Sequence, residues 1–165
     1  MPDASIRDHL SRDHARLEAL LADSERRTPI DADGYAEFRR GLLRHIAIEE
    51  KLLLPAVQRA RDGMPLDIAP RLRLDHGAIA ALLVPTPTPA IVATLRSILE
   101  RHNALEEGPD GLYATCDRSL AAEAGPLVLA MEAYPTIAVS PHNDSAVVMP
   151  AVARALARAG YRLLD

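Results

Sequence analysis

The sequence has no tryptophan, one phenylalanine and four tyrosines, so aromatics make up only 3% of its 165 residues. A core built from it must draw on Leu, Ile, Val and Ala, which favours packed helices over an aromatic-rich sheet. There is one cysteine, Cys116. It cannot close an internal disulfide, so a reducing compartment, the cytoplasm, is the expected location. No stretch of about 20 apolar residues occurs, and no membrane span is expected. The first residues, MPDASIRDHLSRDH, carry charges where a secretory leader needs an apolar run. Lys and Arg number 19 against 23 Asp and Glu, a formal net charge of −4, which argues against nucleic acid as the main partner.

What is present is a chain with 48% apolar and 25% charged residues, the profile of a globular protein. Its length suits one domain with a real core. Four segments show helical periodicity. The first places Ile6, Leu10, His14, Leu17 and Leu21 on one face. The second places Phe38, Leu42, His45, Glu49, Leu52 and Ala56 there. The third carries Ala69, Leu72, His76, Ile79 and Leu83, and the fourth Ile91, Leu95, Ile98, His102 and Leu105. RRTPID, DGMPLD and VPTPTPA separate them, with Asp31 or Asp33 as N-cap of the second helix. Short connections predict an all-α, up-down antiparallel four-helix bundle over residues 1–120. Residues 121–165 read as a C-terminal extension packed on it. That extension has a short apolar helix, an extended stretch near Thr136 to Ser140, and a final helix over 145–159 in which Pro150 must lie near the start.

The two halves repeat. DHARLEALL at 13–21 matches DHGAIAALL at 75–83, and HIAIEE at 45–50 matches HNALEE at 102–107. Each of the four apolar seams therefore contains a histidine, and two contain a glutamate four residues further on. Such a pair lies about 40° apart on one helical face, so His45 with Glu49, and His102 with Glu106, can each reach one point. Four imidazoles and two carboxylates inside an apolar bundle need compensation. Two divalent cations provide it, each taking two histidines and sharing two bridging carboxylates. Imidazole with carboxylate suits iron, and also manganese or zinc. Structural zinc usually takes four tetrahedral ligands, often with cysteine, so dinuclear iron fits better.

On these four motifs, over residues 5–118, the chain resembles the hemerythrin-like (HHE cation-binding) proteins. The resemblance implies a four-helix bundle holding an oxo- or hydroxo-bridged non-haem diiron centre. His14, His45, His76 and His102 would be terminal ligands, with Glu49 and Glu106 as bridges. It also implies a small-molecule partner: dioxygen, nitric oxide or peroxide. The oxygen-carrying members have two histidines one turn apart on the third helix, whereas here Leu72 stands four residues before His76. A symmetric site with four histidines resembles the members implicated in nitric-oxide stress, iron-centre repair, peroxide turnover or iron sensing. The alternative is storage, delivery or sensing of iron without turnover. A metal-free helical interaction module is a third reading.

Around these residues, Glu50 and Glu107 read as helix flanks that make a salt bridge or face water, with an extra ligand or a replacement bridge as the alternative. Asp13 and Asp75 read either as surface carboxylates or as groups orienting a histidine on a neighbouring helix, an acceptor that metal-bound histidines usually need. Gly108 and Pro109 are expected to distort the fourth helix, with placement of Tyr113 near the metals as the alternative. The second helix shows no comparable break. His9 and His142 are expected at the surface, with His142 folding back as a fifth histidine of the site as the alternative.

Overall fold

The computed structural model describes residues 5–165. Residues 1–4, where the leader reading begins, lie outside the described residues. The chain is all-helical, with no strand among the described residues, and no described helix is long and apolar enough to cross a membrane. The helices are α1 (Ile6–Glu25), α2 (Ala32–Ile48), α3 (Leu54–Ala60), α4 (Ala69–Leu82), α5 (Pro89–Glu107), α6 (Leu112–Ser119), α7 (Ala124–Glu132) and α8 (Val148–Arg158); a π-helical segment, Glu49–Leu53, joins α2 to α3. The helices thus exceed the expected four, because a π segment divides the second segment, the fourth stops and restarts, and the extension forms two of its own.

The predicted boundaries hold where a proline or a cap marks them. Ser5 caps α1 by accepting the Asp8 N–H at 3.1 Å, satisfying one of the first-turn donors that lack a helical partner. Asp31 is the N-cap residue of α2, without a side-chain cap bond. Pro150 falls in the first turn of α8, where its missing N–H costs nothing.

The second segment differs from expectation. It is not an unbroken α-helix: the Leu54 N–H donates to Glu49 O, five residues back. Pro55 supplies the physical reason, since its ring and missing N–H conflict with an α-turn over residue 51, and a widened π turn accommodates both. The insertion moves the seam by one position. Leu53 is buried and Leu52 only half-buried. In α5 the seam likewise ends on Glu106, fully buried, with Leu105 exposed.

The chain divides into two compact units. The first comprises residues up to Leu66 with Leu105–Val139; the second is Asp67–Ala104 with Ser140–Asp165. In the first unit α1 packs on α2, α6 and α7, burying Leu10, Leu17, Leu21, Phe38, Leu42 and Met131. Each such side chain contributes roughly 1.5–3 kcal/mol. Asp117 of α6 accepts the Ile6 N–H at 2.8 Å and the Ser5 hydroxyl at 3.0 Å. Arg44 donates to Met131 O at 2.9 Å and Tyr134 O at 2.7 Å, which satisfies carbonyls at the end of α7. In the second unit α4 packs on α8, and Ile79, Leu82, Leu95, Ile98, Val152 and Leu156 are buried.

Candidate metal centre

In the first unit α1 carries His14, α2 carries His45, the π segment opens on Glu49, and the last turn of α5 carries Glu106. All four are buried, the two glutamates completely. Each offers one donor atom, and these atoms all lie within 4.8 Å of one another. Two imidazoles and two carboxylates at that spacing can hold a metal ion. The His14 and His45 ring centroids are 4.5 Å apart.

The histidines are aimed from behind. His45 Nδ1 lies 2.8 Å from Asp13 Oδ2, and His14 Nδ1 lies 2.5 Å from Glu107 Oε1. A carboxylate accepts the Nδ1 proton, which leaves Nε2 as the nitrogen facing inward, the one that an ion would take in place of a proton. Inside, His14 Nε2 is 3.3 Å from Glu106 Oε2, and His45 Nε2 is 3.2 Å from Glu49 Oε1. Glu107 thus makes the ion pair expected of a flank, and its partner is a ring of the cluster. Glu50 is half-buried and outside the group.

Tyr113 completes the cluster. After α5 ends, the chain turns at Gly108–Gly111, closed by the Gly111 N–H donating to Gly108 O at 2.9 Å. Gly111 passes so close to α5 that a Cβ there would sit 2.6 Å from the carbonyl oxygens of both Leu105 and Glu106. Two residues on, the buried Tyr113 hydroxyl donates to Glu49 Oε1 at 2.5 Å. It also lies 3.1 Å from Glu106 Oε2, 3.1 Å from His14 Nε2 and 3.2 Å from His45 Nε2. Helical periodicity could not place it, because the break resets the phase; Gly108 and Pro109 were the only signal in the sequence.

In the second unit the two remaining histidines, His76 of α4 and His102 of α5, are buried with ring centroids 4.8 Å apart. His102 Nδ1 lies 3.2 Å from Asp75 Oδ2, repeating the Asp13–His45 arrangement. Asp75 is itself held by Arg71, which also donates to Ala159 O at 2.7 Å and stacks over the Tyr161 ring. His142, expected at the surface, is half-buried with Nδ1 3.3 Å from Val84 O. His9 is half-buried too, in the first unit.

The electrostatics follow from this packing. Burial opposes charge on the His45 ring, but Glu49, Asp13 and Glu106 override it and hold its pKa at about 10. Burial also works against the Asp13 carboxylate, yet its bonds to His45 and Arg16 bring it down to about 2. Burial, then the carboxylates of Glu106 and Glu49, push the Tyr113 phenol well above its ordinary value. The carboxylates around His45 thus favour positive charge at this buried site, on the ring or on a bound ion. Comparison with protein-family models, with curated proteins and with solved structures finds no match to this chain.

Proposed function

We propose that this chain is a hemerythrin-like, non-haem diiron protein that binds or reacts with dioxygen, nitric oxide or peroxide. In this reading His14, His45, Glu49, His76, His102 and Glu106 hold two irons, with the four seam-bearing segments as an up-down bundle. One observation carries it. The donor set of His14, His45, Glu49 and Glu106 is buried, and its two histidines are oriented by carboxylates on their outer nitrogens. A metal-bound histidine usually donates its outer N–H to such an acceptor, and here the paired rings turn their other nitrogens toward two buried carboxylates. The same carboxylate–histidine pairing at Asp75 and His102, within the repeated sequence, supports a second ion.

The bound irons would supply Lewis acidity and redox capacity. The chain's own residues do the rest. Asp13, Glu107 and Asp75 hold the Nδ1 protons, and Glu49 and Glu106 supply negative charge. Leu10, Leu17 and Leu42, all buried, help keep bulk water out of the first unit's core.

Elemental analysis of protein purified without chelator or added metal tests the reading. About two irons per chain are expected. Clearly less iron, not restored by ferrous ion added without oxygen, would sink it and promote the interaction module. A spectral change on adding nitric oxide or peroxide would separate a reactive centre from iron storage or delivery.

A further inference from the structure

The geometry points to Tyr113 as an additional metal ligand: its phenolate oxygen completes a coordination sphere with His14, His45, Glu49 and Glu106. This inference rests on the metal-binding reading above and goes beyond the six ligands which that reading assigns.

The argument starts from distances between donors. Nitrogen and oxygen ligands stand about 2.0–2.2 Å from a first-row divalent ion. Two donors at right angles about such an ion are therefore about 3 Å apart. The Tyr113 oxygen meets that spacing with Glu106, His14 and His45, at 3.1, 3.1 and 3.2 Å, and lies closer, at 2.5 Å, to Glu49, to which it now donates a proton. An oxygen at such distances from four donors can share one ion with them. The pairs His14–Glu106 and His45–Glu49, at 3.3 and 3.2 Å, have the spacing of neighbouring ligands as well.

The chain commits structure to this placement. The π segment opens at Glu49, and the turn that brings Tyr113 in depends on a glycine, Gly111, because no Cβ fits against the end of α5. The phenol is fully buried, so it gains nothing from solvent. A phenol in that position ligates as phenolate, so the proton it now donates to Glu49 at 2.5 Å is released to the buffer on metal binding. A cation among the donors stabilises the phenolate that burial alone disfavours. A phenolate is a hard anionic donor, so the site should favour ferric over ferrous ion.

The test loads the full-length protein with ferric nitrilotriacetate and removes excess chelator by gel filtration. Iron content and the visible spectrum are then read separately. The expected result is bound iron with a broad phenolate-to-ferric charge-transfer band, and resonance Raman excitation in that band enhancing tyrosine ring modes. In Tyr113→Phe the band is lost while iron remains. Tyr35→Phe, Tyr134→Phe and Tyr161→Phe keep the band, which assigns it to Tyr113 even if Tyr113→Phe does not fold. Iron bound by the wild type without the band would overturn the tyrosine ligand and leave the metal site standing. No bound iron at all would overturn both.

Discussion

Asp13 makes two contacts with different consequences. Its bond to Arg16 is a surface pair one turn along the same helix, worth little. Its bond to His45 fixes a ring at the candidate metal centre. Replacing Asp13 with Ala should therefore lower metal affinity about 10–100-fold, while the helical circular dichroism stays unchanged. Asp13→Asn keeps an acceptor oxygen and should lose less. Competition against a chromophoric chelator measures both, and equal affinities for wild type and Asp13→Ala would refute the orienting role. Cys116 makes a second point at this scale. Burial, then Asp117 and Glu49, push its thiol up to about 12 from 9.0. A raised folded pKa means the neutral thiol stabilises the fold fully below pH 9, and that contribution fades as pH climbs from 9 towards 12. Unfolding free energy in that range should fall more steeply for wild type than for Cys116→Ala, by up to about 1.4 kcal/mol per pH unit. At neutral pH the native thiol should resist aromatic disulfide reagents until urea is added.

Glycines separate elements that need a bare backbone from those that do not. At Gly111 a Cβ would press on carbonyl oxygens that cannot swing away, so Gly111→Ala should cost at least about 1–3 kcal/mol. It should also reduce iron content, because Glu106 and Tyr113 flank the same turn. Gly77 lies exposed inside α4 with nothing near its missing Cβ; there alanine should add roughly 0.5–1 kcal/mol. Urea midpoints of the two variants should move in opposite directions. The helices around these glycines were legible in the sequence because their apolar spacing is local and repeats every 3.6 residues. His14, His45, His76 and His102 could be picked out as polar insertions in that pattern, and Asp13 and Asp75 by preceding two of them. The π segment was not legible, because a five-residue turn leaves no mark on a 3.6-residue period beyond the single hint of Pro55. Glu107 and Tyr113 escaped firm placement for a related reason: one lies off the seam and the other past a break in phase. What decides their positions is tertiary packing, which no local pattern encodes.

For the whole molecule, an ion bound at the candidate site would couple to folding, because an assembled donor set exists only in the folded chain. Ligands that bind the native state alone add about 2.7 kcal/mol at a free concentration of 100 times Kd. For a chain of this size, each kcal/mol moves Tm by roughly 2–4 °C. Removing iron with a chelator should thus lower Tm by about 5–11 °C, and readdition should restore it. Within each unit two buried histidines face one another, His14 with His45 and His76 with His102. If each pair serves its own ion, replacing both members of either pair with alanine should take iron from about two per chain to about one, with about half the Tm increment retained. Loss of all iron from either double variant would mean that the ions bind only as a pair, through the shared glutamates. Full iron retention in the His76/His102 double variant would confine the metal to the first unit, where the donor atoms of His14, His45, Glu49 and Glu106 lie within 4.8 Å of one another.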